Sequence, residues 1–175
     1  ARVHLFLKDW EKAIDLSAMV IDASSTYELL NNINDVFLAN SREAIWQISP
    51  IGGGGGLTQT NEGSLFIIHP VFSFLASIKL RPSFATAFEG EDLRFQNWIG
   101  YHEGEDAFFA YKYKIWNSSE FPIEEYSMVL RFAEQYLIRA EAYAQTGNLT
   151  EAIKDIVIIQ QRAGLSPVSE TKPNI

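Results

Sequence analysis

Over residues 129–145, VLRFAEQYLIRAEAYAQ, apolar and small residues recur every three or four positions. Val129, Phe132, Ala133, Tyr136, Leu137, Ala140, Tyr143 and Ala144 line one side of a predicted amphipathic helix, with Arg131, Glu134, Gln135, Arg139, Glu141 and Gln145 on the other. Gly147 suits a left-handed helix end, and Asn148 with Glu151 resembles a capping box that opens a second helix. Ala140 and Ala144 present small surfaces, matched by Ala152, so the two helices can pack closely.

The same hairpin recurs at the start of the chain. A shift of 139 positions sets Ala1 on Ala140, His4 on Tyr143, Asp9 on Asn148, Ala13 on Ala152 and Ile14 on Ile153. The spacing of the alanines and the aromatic position matches tetratricopeptide hairpins. The expected fold is mainly α: tetratricopeptide-like helical hairpins with an irregular insert containing short β-strands. A single domain over 1–175 divides into a first hairpin (1–24), an insert (25–125) and a second hairpin (126–165).

Within the insert, EAIWQI at 43–48 predicts a short strand with Ala44, Trp46 and Ile48 alternating in part against polar neighbours. Phe109, Tyr111, Tyr113 and Ile115 alternate with Ala110, Lys112 and Lys114, the signature of a half-buried strand. The five glycines at 52–56 lack the Lys-Ser/Thr of a phosphate-binding loop and predict a surface loop. Rings are dense from 95 to 116. Aromatic faces beside amide and acidic groups suit sugar binding, because a ring packs on the C–H face of a pyranose while polar groups take its hydroxyls. Trp98 and Tyr101, flanking Gly100 in an expected loop, are the leading ligand-binding candidates, joined by Asn97 and Trp116. The competing expectation is that such rings fill the seam between sheet and helices.

Composition narrows the chemistry. The 175 residues carry a net charge of -8, and the 14 Lys and Arg are scattered, which argues against a nucleic-acid partner. With no cysteine there is no disulfide, thiolate metal site or cysteine nucleophile. His4, His69 and His102 have no metal-binding spacing; His4 belongs to the hairpin packing stripe, and His69, before Pro70, has a structural role. No G-x-S-x-G elbow occurs. The acidic turns Glu89, Glu91, Asp92 and Glu103, Glu105, Asp106 could supply paired carboxylates or calcium ligands, but the EF-hand pattern is missing and solvated turns are the expectation. No catalytic residue, metal ligand or cofactor is therefore expected. No apolar run is long enough to cross a bilayer. The chain opens on ARVHLFLKDW, like the tail of a helix, and closes on SETKPNI, like an unfinished loop. Both suggest a piece of a longer protein whose N-terminus carries the targeting signal.

The sequence VLRFAEQYLIRAEAYAQTGNLTEAIKDI, followed by QQRAGL, resembles the SusD/RagB family of Bacteroidetes outer-membrane lipoproteins. KDWEKAIDLSAMVI resembles the family's earlier hairpin, EAIWQI its strand, and FEGEDLRFQNWI followed by YKYK its acidic-Leu-Arg segment. The chain departs from the family where Val157 and Gln160 replace an Asn and an Arg. The resemblance implies a non-catalytic protein, held by an N-terminal lipid on the outer face of the outer membrane. It implies binding of an oligosaccharide or other nutrient for delivery to a SusC-like TonB-dependent transporter. The alternative is a tetratricopeptide-type protein-interaction scaffold with no glycan site of its own.

Overall fold

The computed structural model describes residues 1–50, 57–76 and 78–167; the glycine run and SETKPNI lie outside them. Helices α1 (Arg2–Phe6) and α2 (Trp10–Ile21) form the first hairpin. The insert follows, with β1 (Ala44–Ile48), α3 (Asn61–Phe66), α4 (Pro82–Ala85), α5 (Leu93–Trp98), β2 (Ile99–His102) and β3 (Ala107–Ala110). Strand β4 (Ser127–Arg131) runs directly into α6 (Phe132–Gln145), which forms the second hairpin with α7 (Leu149–Arg162).

The two hairpin turns share a backbone pattern at the 139-residue shift. Asp9 N donates to His4 O at 2.9 Å, and Asn148 N to Tyr143 O at 2.8 Å. Lys8 (φ 59°) occupies the same left-handed position as Gly147 (φ 81°). The non-glycine residue carries the greater strain there. The caps differ: Asp9 accepts from Lys12 N, whereas Asn148 is the N-cap of α7 without a side-chain cap bond, so the expected capping box does not form.

Helix α2 packs against α6, and α6 against α7, so the two hairpins stack as neighbours in a solenoid although the whole insert separates them in the chain. Ala13, Ile138 and Ala142 are buried at the first contact. Because α6 is covered on two sides, its buried residues are Phe132, Ala133, Gln135, Ile138, Ala140 and Ala142, wider than the expected stripe. Leu137 and Ala144 are exposed instead. Val129 belongs to β4, because its backbone is committed to pairing with β1 before the helix begins. Arg139, expected on the polar face, reaches α7 and makes two hydrogen bonds of 2.8 and 2.7 Å to Asp155, a carboxylate only 2% exposed. This tie joins α6 to α7, on which Val157 and Gln160 are half-buried.

Strand β1 pairs antiparallel with β4, with irregular register on both sides of Trp46. The irregularity leaves Trp46 and Ile48 exposed, not inward as alternation predicted, and Ile45 half-buried. Strand β3 stops at Ala110, short of the expected Tyr113 and Ile115. Burial still alternates, with Phe109 and Tyr113 buried. Beyond Ala110 the backbone takes its partners from a buried side chain: Glu125 accepts from Lys114 N at 2.6 Å and Ile115 N at 3.3 Å.

Candidate ligand-binding groove

Antiparallel pairing of β2 with β3 sets Tyr101 opposite Phe108 and Gly100 opposite Phe109. Successive side chains in a strand point to opposite faces, so the hairpin has two distinct sides. On one side Ala107 and Phe109 are buried with Ile67 and Ile68. The Phe109 ring lies over Gly100, where a Cβ would stand 2.2 Å from its Cζ. The absent side chain at 100 therefore lets the strand pair close on its core.

The other side carries the Tyr101 and Phe108 rings, 4.9 Å apart between centroids, with Phe95 packed behind Phe108. Tyr101 remains half exposed. Its hydroxyl donates to Asp106 Oδ1 at 2.6 Å, which fixes the ring and raises the phenol pKa through the hydrogen bond and the adjacent negative charge. Asp106 can make this bond because it closes the turn in the left-handed region, at φ 43°.

A second segment borders the rings. Leu80 N donates to Phe108 O at 2.8 Å, pinning residues 79–82 beside β3. Lys79 Nζ stands 2.9 Å from Glu105, which also accepts from Ser73 Oγ at 2.7 Å. The Ser73 bond and then Lys79 hold the Glu105 carboxyl below its usual pKa. Arg81 occupies the N-cap position of α4 without a side-chain cap bond, and Pro82 fixes the backbone that follows. Together Lys79, Arg81, Tyr101, Glu105, Asp106 and Phe108 frame an open groove of about 650 Å³. Its floor is aromatic and its rim is charged, an arrangement suited to stacking and hydrogen bonding of a polar ligand.

The four residues singled out from the sequence do not meet. Tyr101 lies in the groove, though on a strand and not in a loop. Trp98 ends α5 and is 4% exposed, among Ile33, Val36, Phe37 and Tyr113, with its indole N–H donating to Ile33 O at 3.1 Å. The expected exposed platform is a core residue, because the helix turns its last side chain inward where β2 begins. Asn97 is tied within the protein, donating to Leu93 O and accepting from Asn34 Nδ2, both at 2.8 Å. Trp116 packs against the buried side of the β2–β3 hairpin, with the His69 ring 4.4 Å away. His69 Nδ1 accepts from Val71 N and Phe72 N, a structural role as expected.

Phe108, Lys79 and Arg81 also line the groove and were not among the four candidates, though Phe108 belongs to the ring-dense segment. A signal for the first was present: IGYH and AFFA flank a short acidic turn, which is a hairpin pattern and places Tyr101 opposite Phe108. Nothing local marks Lys79 or Arg81. The acidic turns are engaged more than expected. Asp92 is buried, caps α5 and pairs with Arg94 at 2.6 Å, while Glu105 and Asp106 hold the partners given above. Among the described residues no group of three His, Asp or Glu is placed to hold a metal ion, and no helix is long and apolar enough to cross a membrane.

Residues 107–175 match the model of the SusD family. Solved structures align with nearly the whole chain. A SusD-like carbohydrate binding protein from Bacteroides vulgatus is 22% identical, with a TM-score of 0.68 over 98% of this chain and 37% of its own. A SusD superfamily protein from Bacteroides thetaiotaomicron is 19% identical, with a TM-score of 0.74 over 98% of this chain and 40% of its own. Surface glycan-binding protein A from Bacteroides uniformis is 18% identical, with a TM-score of 0.71 over 97% of this chain and 41% of its own. The chain thus spans less than half the length of each. No curated protein matches it.

Proposed function

We propose, from the match of residues 107–175 to the SusD family model and a fold like that of SusD superfamily structures, that the chain captures an oligosaccharide at the cell surface without cleaving it. The observation that carries this reading is the half-exposed Tyr101 ring, paired with Phe108 over a groove rimmed by polar groups. The ring offers an apolar face to a sugar C–H surface, and the hydroxyl bond to Asp106 keeps it from rotating away. Little ordering is then required on binding, which favours affinity. The glycan-binding names of several SusD-like relatives support the same ligand class.

Capture needs no nucleophile or general acid, and each carboxylate at the groove is engaged in a hydrogen bond or ion pair. Delivery to a SusC-like TonB-dependent transporter, from an outward-facing lipoprotein anchored in the outer membrane, is the physiological setting proposed. Calorimetric titration with a panel of soluble plant, microbial and host glycans tests the reading. At least one glycan should bind the wild-type chain, and Tyr101→Ala should abolish that binding. A Tyr101→Ala variant with unchanged affinity for every bound glycan would exclude the groove.

A scaffold role is favoured by a different observation. Val3, Phe6 and Leu7 of the first hairpin are 67%, 79% and 69% exposed, a cluster of apolar side chains on one short segment. Retention of a protein partner that is lost on Phe6→Ser, with every glycan failing to bind, would select this second reading.

A further inference from the structure

The charges at the groove do not cancel pair by pair. Asp106 accepts the Tyr101 hydroxyl, and Glu105 holds both Ser73 and Lys79. Both carboxylates and the lysine are thus committed. The Arg81 side chain is exposed, lines the same groove and makes no hydrogen bond or ion pair with a described residue. It is not on a wandering loop: the Leu80–Phe108 bridge holds the preceding residue, and Pro82 fixes the following one at the start of α4. The groove therefore presents one uncommitted guanidinium beside an aromatic floor.

We infer that the groove selects acidic saccharides, with Arg81 taking the carboxylate of a uronic acid unit while an adjoining sugar ring stacks on Tyr101. The proposal rests on the glycan reading of the same groove. A planar carboxylate matches the guanidinium fork, which can donate two parallel hydrogen bonds to it. A neutral glycan stacks equally on Tyr101 but leaves the cation without a partner. Glu105 and Asp106, at the turn that borders the groove, repel a carboxylate placed beside them, which favours the Arg81 side for the acid group.

The test is calorimetric titration of the chain with acid-bearing oligosaccharides: oligogalacturonate, alginate fragments and glucuronoxylan fragments. Each is compared with its carboxyl-reduced counterpart, which keeps the backbone and loses the charge. At least one acid form should bind about tenfold or more tightly than its reduced partner. Arg81→Gln should equalise the pair, whereas Tyr101→Ala should weaken both members. Rising salt should narrow the wild-type difference. No preference for any acid form, or a preference that survives Arg81→Gln, overturns the inference. If reduced or neutral glycans still bind and depend on Tyr101, capture stands and only the acid selectivity falls. A sulfated oligosaccharide preferred over every uronate would also overturn it.

Discussion

Glu43 Oε2 lies 2.6 Å from Arg162 Nη1 across 119 residues of sequence. The glutamate comes from the edge of β1 and is wholly buried; the arginine ends α7 and its side chain is 6% exposed. Arg131 Nε approaches the same carboxylate at 3.7 Å, and Leu30 N donates to it. One residue on, Ala163 O accepts from Leu93 N at 2.9 Å, and Gly164 is packed against Leu93 and the Glu91 carbonyl. The segments EAIWQI, EDLRF and RAGL, separate in the chain, thus converge on the end of α7.

Removing the arginine from this junction strands a buried carboxylate. Arg162→Ala should destabilise the chain by about 3–5 kcal/mol, the usual cost of breaking a buried pair from one side. Urea denaturation followed by circular dichroism measures it. A loss below about 1 kcal/mol would mean that Arg131 alone satisfies Glu43.

A core prediction concerns Phe132, which is 3% exposed, stacks on Tyr27 and meets Tyr136 edge-on. Phe132→Ala should cost about 3–5 kcal/mol. A thermal melt indistinguishable from wild type would contradict its place in the core.

Trp98 should behave as a stability residue. Trp98→Phe removes ring volume and the donor to Ile33 O, leaving that carbonyl without its partner. About 1–3 kcal/mol of stability should be lost, while glycan affinity of the folded fraction stays at the wild-type value. A selective loss of affinity with an unchanged melt would place the indole in the ligand site after all.

The Asp92–Arg94 pair predicts a pH dependence. Burial opposes ionisation of Asp92, but the hydrogen bonds and charge of Arg94 outweigh it and leave the carboxyl below its usual 3.8. Its folded pKa is thus below the unfolded one, so the folded state binds the proton less tightly. The stabilisation is present above pH 3.8 and is lost as pH falls through the folded value. Asp92→Asn retains an oxygen to cap Arg94 N but not the charge. The variant should be less stable at neutral pH, with the difference shrinking steadily below about 3.8. Paired denaturation curves across roughly pH 2–7 would reveal it; a constant difference would show that the charge plays no part.

The helical hairpins were legible in the chain because their information is local. A three/four periodicity, a turn position at residues 8 and 147, and alanines at 13 and 152 describe helices wherever they pack. Even so, α6 could not disclose from its own sequence that it is covered on two sides. That is why Gln135 and Arg139 turned out to be packed or paired with neighbours. The groove lay further from view. Tyr101 was singled out by its ring and its neighbouring glycine and does line the groove, but Trp98, three residues earlier with the same chemistry, entered the core. Trp98 closes α5 with its side chain turned into the core, whereas Tyr101 stands on the outward side of the β2–β3 pair.

By itself the sequence determined two helical hairpins, a strand at 44–48 and a resemblance carried by its motifs, because short-range periodicity and residue type suffice for these. Tertiary structure alone decided which rings reach solvent, which carboxylates are already engaged and that Arg81 lines the same groove as Tyr101. Those facts depend on register and on contacts between segments far apart in the chain, where the energy of burial, not local preference, chooses the partner.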